Sequence, residues 1–151
     1  MTAAAPRRLL VAIDEMEVGG SQRQIVHLLG SIDRSRWQPE LVYFRNPSFL
    51  LGSLRELGIP VHHVPKQRAF DPLFLYRLAR LMRQGRYDLV HAFSITAELW
   101  SLLASRLLPD PPPLVSSLRS LNLDAPRWHW RIKRQILRHS AATIANARAA
   151  A

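Results

Sequence analysis

Leu9-Leu10-Val11-Ala12-Ile13-Asp14-Glu15-Met16-Glu17-Val18-Gly19-Gly20-Ser21 is the stretch that decides the fold. Its first five residues form an unbroken apolar run, of the kind a strand buried on both faces requires. The run ends in an acidic, glycine-bearing loop from Asp14 to Gly20. Ser21 then offers an N-cap, and Gln24, three residues on, completes a capping box. Ile25, Val26, Leu28 and Leu29 supply the core face of the helix that follows.

The same unit repeats outward from this stretch. Leu41 to Phe44 reads as a second strand, and Ser48 to Leu57 as a helix with Leu51, Leu54 and Leu57 on one side. Gly58 is its C-cap and Pro60 follows. Val61 to Val64 is a short third strand stopped by Pro65. Asp71 caps the next helix with Pro72 in its first position. Phe74, Leu78 and Leu81 form its apolar stripe, Arg77, Arg80 and Arg83 face solvent, and Gly85 ends it. Asp88 to Phe93 is the fourth strand, and Ser94 or Thr96 caps a helix whose inner face is Leu99, Leu102 and Leu103. After the stiff loop Pro109 to Pro113 come a fifth strand (Leu114 to Leu118), a basic helix over 127–139 and a sixth strand (Ala141 to Ala145). This alternation predicts an α/β fold: a Rossmann-like parallel sheet of about six strands, with helices on both faces and right-handed crossovers. One domain is expected over residues 8–151, with residues 1–7 as a disordered tail. Ligands of such sheets bind beyond the carboxyl ends of the strands. The functional loops are therefore Asp14–Gly20, Arg45–Ser48, Phe93–Thr96 and Arg119–Asp124.

Bulk composition narrows the function classes. At 151 residues and 48% hydrophobic, the chain can bury a proper core and is not a disordered segment. It has no cysteine, which excludes disulfides, thiolate metal sites and a cysteine nucleophile, and fits a reducing compartment. Lys+Arg is 21 against 11 Asp+Glu, a net charge of +10, and Lys66 and Lys133 are the only lysines. Such a balance favours phosphates, nucleic acid or an acidic lipid surface, or else reflects arginine-rich composition alone. Nucleic acid is not the expected partner, because no reader motif is present and the arginines scatter over several helices. The longest apolar stretch, Leu89 to Leu108, is interrupted by His91, Glu98 and Arg106 and is too broken to span a membrane. Residues after Arg8 do not form a signal peptide. The expectation is a cytoplasmic protein, peripheral at the inner membrane face if it meets lipid.

Three loops carry candidate chemistry. Gly19 and Gly20, ahead of Ser21, let the backbone approach a ligand at a helix start whose N–H groups favour a phosphate. The plainer reading is an ordinary turn. The spacing is neither G-x-G-x-x-G nor a P-loop, which argues against NAD and against phosphate-loop ATP hydrolysis. Arg119 follows the fifth strand and suits bidentate pairing with phosphate, against the alternative of a surface arginine. Ser94 caps a helix, touches substrate, or does both. His91, inside a strand, reads as a hydrogen-bonded core residue, and His62-His63 as structural or exposed. Asp14, Glu15 and Glu17 read as a solvated loop; no metal-ligand spacing and no nucleophile elbow occur. On the basic helix, Arg127, Arg131, Arg134 and Arg138 share one stripe, with Trp128, Ile132 and Ile136 on a neighbouring one. Basic residues with tryptophan are the composition of an interfacial membrane helix, and equally of a sheet-covering helix with a charged outer face.

These residues together resemble the N-terminal domain of family 4 glycosyltransferases, which have the GT-B fold. The resemblance covers about residues 8–148 and rests on Gly19-Gly20-Ser21, on Asp88-Leu89-Val90-His91-Ala92-Phe93-Ser94, on Pro113-Leu114-Val115-Ser116-Ser117-Leu118-Arg119 and on Ala142-Thr143-Ile144-Ala145-Asn146. It implies transfer of a sugar from a nucleotide-sugar donor to a sugar or lipid-linked acceptor, with no further cofactor and no metal. By that likeness Gly19, Gly20, Ser21 and Arg119 lie toward the donor diphosphate, Ser94 and Asn122 toward the acceptor, and Asn146 near an interdomain junction. Relatives often carry histidine where this chain has Phe93 and Arg119, and serine where it has Ala147, which points to a subfamily and leaves no residue assigned as catalytic. The nucleotide is held by a C-terminal domain beyond these residues, so a partner domain in cis or in trans is expected, and the chain by itself should not turn over substrate. The alternative is a non-catalytic basic module that binds an anionic membrane. An epimerase or another Rossmann enzyme is disfavoured by the missing G-x-G-x-x-G and Tyr-x-x-x-Lys patterns.

Overall fold

The computed structural model describes residues 5–119 and 125–145. Among them six strands alternate with five helices: β1 (Arg7–Glu15), α1 (Gly20–Ser31), β2 (Trp37–Arg45), α2 (Leu50–Glu56), β3 (Val61–His63), α3 (Pro72–Gly85), β4 (Leu89–Ala92), α4 (Ile95–Ser105), β5 (Leu114–Leu118), α5 (Arg127–His139) and β6 (Ala142–Ala145). The strands form one sheet in the order β3-β2-β1-β4-β5-β6, and every pairing is parallel. The alternation predicts a parallel sheet of about six strands, and the observed order is the doubly wound one. β1 begins at Arg7, inside the segment read as a tail, and the Arg7 N–H donates to Arg36 O at 2.9 Å.

Two cores sandwich the sheet. Leu10, Ala12, Val42, Phe44, Val90 and Ala92 pack on one face against α3 and α4. Leu9, Val11, Ile13, Leu41 and Tyr43 pack on the other against α1 and α2. Alternate residues of β1 and β2 thus go to opposite cores, which is why their sequences read as continuous apolar runs.

The helices correct several details. Gly19, not Ser21, is the N-cap of α1, and no side chain caps it, so the predicted capping box does not form. Leu28 is exposed; only Ile25 and Leu29 of that helix are fully buried. α2 starts at Leu50 rather than Ser48 and buries Leu50, Leu51 and Leu54, leaving Leu57 exposed beyond its last turn. α3 keeps its Asp71 cap, which accepts from Phe74 N at 3.0 Å. Gly85 is its last helical residue, as expected, but the left-handed C-cap is Arg86 (φ 46°) and not a glycine. Gly85 is required by packing instead, since a Cβ there would lie 2.2 Å from the Tyr87 ring. α4 turns Ala97, Trp100, Ser101 and Ala104 inward, with Leu99, Leu102 and Leu103 on its half-buried flanks.

A polar clasp ties the amino ends of the strands. Buried Glu40 accepts from Tyr87 Oη and pairs with His62 Nε2, each at 2.7 Å, and also pairs with Arg8. Burial pushes the Glu40 carboxyl up, but the hydrogen bonds from Tyr87, His62 and Arg8 outweigh it and hold the group below its ordinary value. His62 therefore has a carboxylate partner, supplied across the sheet by β2 rather than by sequence neighbours.

Candidate functional site

The sheet order reverses direction between β1 and β4, and their carboxyl ends open a crevice there. Four segments meet at it. The turn after β1 leads into α1, β4 runs into Phe93 and Ser94, β5 runs into Arg119, and the first turn of α5 closes the side. The resulting cleft is about 260 Å³. Ser21, Ser94 and Arg119, assigned separately from sequence, all line it. A larger hollow of about 390 Å³, beside Arg83, Arg86 and Tyr87, lies at the opposite rim, by the amino end of β4, where sheets of this type do not bind their ligands.

The glycine turn sits at the cleft's edge. The amino end of α1 has no side-chain cap, so its first N–H groups are not satisfied by a neighbouring side chain. Gly19 is extended (φ −158°), and a Cβ on it would come 2.7 Å from Gln22 Oε1. Gln22 folds back to donate to Glu15 O at 3.1 Å. A Cβ on Gly20 would meet nothing within 4 Å, so packing within the chain gives no reason for this glycine. Open space at an uncapped helix start suits an anionic ligand in close approach. By contrast, Ser94 caps α4, accepting from Ala97 N at 3.1 Å, while still facing the cleft. Asp14, near the end of β1, is turned to other work and accepts from Arg45 Nε at 3.1 Å. No group of His, Cys, Asp and Glu able to hold a metal occurs among the described residues.

Arg119 is held in place by aromatic stacking. Its guanidinium carbon lies 4.9 Å above the Phe93 ring, and that ring lies 4.3 Å from the ring of His91. Burial lowers the Arg119 pKa from its ordinary value, but a guanidinium stays charged. His91 is buried as expected, with Nε2 sharing a hydrogen bond with Ser117 Oγ at 2.9 Å. Burial, and then the charge of Arg119, pull His91 down to about 4, so it is neutral at physiological pH.

Beneath the cleft lies an ion pair absent from the sequence reading. Lys133 Nζ donates to both Glu98 oxygens at 2.7 and 2.6 Å and to Ser117 O at 3.0 Å. Glu98 Oε1 also accepts from Ser117 N at 2.8 Å. Glu98 is fully buried and Lys133 is 6% exposed. Burial pushes the Glu98 carboxyl up, and Lys133 pulls it back. The pair fastens α5 to α4 and β5, and so fixes the helix turn that forms the cleft wall.

α5 accordingly has two faces. Arg127, Trp128, Arg131 and Arg134 are exposed on the outer one, away from the cleft. His129, Trp130 and Lys133 line the cleft, and Ile136 is buried one turn beyond. Trp128, placed beside Ile132 and Ile136 on the sequence, is 61% exposed. The signal was present: His129, Lys133 and Ile136 stand at i, i+4 and i+7, the spacing of one helix face. Asn122 and Asn146 lie outside the described residues.

The architecture and the cleft invite comparison with known proteins. The family model of Glycosyltransferase Family 4 matches residues 18–151. The chain belongs to this family. No curated protein matches its sequence. Among solved structures it is similar to Anabaena Alr3699/HepE in complex with UDP, at 20% identity and a TM-score of 0.75, over 95% of this chain and 38% of that one. The same protein in complex with UDP-glucose gives 19% identity and a TM-score of 0.77, over 95% and 38%. MurG of Acinetobacter baumannii gives 15% identity and a TM-score of 0.66, over 93% and 41%. These likenesses show the fold, that of a GT-B N-terminal domain, and the family 4 chain spans 38% of the HepE protein's length. No helix among the described residues is long and apolar enough to cross a membrane.

Proposed function

We propose that this family 4 chain is the acceptor-side half of a sugar transferase, and that its cleft receives the diphosphate of a nucleotide-sugar. One observation carries the reading: the uncapped start of α1, Ser21 and Arg119 converge on a cleft that no carboxylate lines among the described residues. A helix amino end and a guanidinium both favour phosphate. The complexes of HepE with UDP and UDP-glucose agree with such a ligand. In this reading Gly19 and Gly20 give the phosphates close access, while Ser94 and Asn122 face the acceptor. The nucleotide itself requires a second, donor-binding domain, in cis or in trans. A cofactor plays no part, since the nucleotide-sugar is the substrate.

Titration of the isotopically labelled chain with inorganic pyrophosphate, followed by NMR, tests the reading. Amide shifts at Gly20 and Ser21, with binding weakened about tenfold or more in Arg119→Gln, support it. Shifts confined to the opposite rim, or binding indifferent to Arg119, refute it.

The outer face of α5 supports a further part of the proposal. Exposed Trp128 beside Arg127, Arg131 and Arg134 fits peripheral contact with an anionic membrane, where a lipid-linked acceptor would reside.

A further inference from the structure

We propose that His129 contacts the anion held in the cleft, and that anion binding there draws a proton onto its imidazole. This rests on the reading of the cleft as a diphosphate site. His129 lines the cleft together with Arg119, Ser21 and Ser94. Its half-buried ring is flanked by Trp130 and Trp128, with centroids 5.8 and 6.0 Å away. Its ring nitrogens make no hydrogen bond within the described residues, so both are available to a ligand.

The surrounding charges make the coupling follow. Arg119 reaches in from the end of β5. Lys133, one turn along α5, has its charge answered by Glu98 of α4. His91 of β4 lies behind Phe93 and is held neutral. Arg127 and Arg131 of α5 are exposed on the outer face. No carboxylate lines the cleft among the described residues. Among the described residues no negative charge faces the ring, so a bound phosphate would supply one, and an opposite charge at contact distance favours the protonated form. By linkage, a proton on the ring must tighten anion binding by the same factor. Among the described residues that line the cleft, histidine is the one side chain type able to switch charge on binding an anion.

The test uses the 151-residue chain and inorganic pyrophosphate. The His129 Cε1–H resonance is followed through a pH titration with and without saturating pyrophosphate. Affinities are measured by calorimetry at about pH 6 and about pH 8 for the native protein and His129→Gln. The midpoint of the ring should move to higher pH when pyrophosphate is bound. On acidification the native protein should gain about fivefold more affinity than His129→Gln, and the two should bind alike at the higher pH. Pyrophosphate's own titration is common to both proteins and cancels in their ratio. An unmoved midpoint, or a ratio constant across pH, overturns the role of His129 and leaves the diphosphate reading intact. No binding by a natively folded protein at either pH removes both. His129→Asn repeats the comparison if the glutamine variant fails to fold.

Discussion

Replacing Lys133 with methionine tests the ion pair that anchors the cleft wall. The substitution keeps most of the aliphatic volume and removes only the ammonium. Glu98, fully buried, would lose its contacts at 2.7 and 2.6 Å and keep the single Ser117 N–H. Stranding one partner of a buried pair costs about 3–5 kcal/mol. For a domain of this size that is a loss of about 10 °C in melting temperature. The charge, not the shape, should be responsible, so adding Glu98→Gln to Lys133→Met should recover most of the loss. A pH series gives an independent check. Without its ammonium Glu98 has a folded pKa raised above its unfolded value, so the variant regains stability, relative to the native chain, as pH falls toward the ordinary carboxylate range. Urea unfolding monitored by circular dichroism reads both effects. An unchanged midpoint for Lys133→Met, or a double variant no more stable than the single one, would refute the reasoning.

Other outcomes follow from single sites. His91, lowered to about 4 from 6.5, stays neutral when folded but accepts a proton when unfolded, so its contribution is present above pH 6.5 and fades as pH drops toward 4. The loss amounts to about 1.4 kcal/mol per pH unit in that window, and denaturant midpoints of His91→Gln should lack this part of the slope. Gly85→Ala forces a Cβ to 2.2 Å from the Tyr87 ring and should cost about 2 kcal/mol or more in chemical unfolding. Gly20→Ala, which meets nothing within 4 Å, should leave stability within about 0.5 kcal/mol while weakening pyrophosphate binding severalfold. Co-sedimentation with anionic vesicles should be lost in Arg131→Glu/Arg134→Glu and reduced by salt; binding that survives both would end the membrane proposal.

Fold and site were legible in the sequence to different degrees. The parallel sheet followed from the alternation because buried parallel strands leave a strong mark: Leu9–Ile13 and Leu41–Phe44 are apolar on both faces. Asp71 and Ser94 were readable as caps because a cap depends only on residues a few positions away. What stayed hidden depended on contacts across the chain. Glu98 and Lys133 are 35 residues apart and look like ordinary surface charges until α4 and α5 are placed side by side. The leucines of α4 misled because the buried face is carried by Ala97, Trp100, Ser101 and Ala104, a mixture that no apolar stripe in the sequence announces. The Gly20 turn and Arg119 were found from their order after strands, but only the folded chain shows that they share one cleft with His129.

The two-faced α5 sets a length scale. An α-helix with its side chains is about 10–12 Å across. The His129 ring, in the cleft, stands 6.0 Å from that of Trp128, so a lipid surface resting on Trp128 would lie within one such diameter of the cleft. That is the reach of a single headgroup. Under the membrane contact proposed above, a lipid-linked acceptor would reach the cleft with its tail still in the bilayer, so delivery would amount to sliding in two dimensions rather than extraction into water.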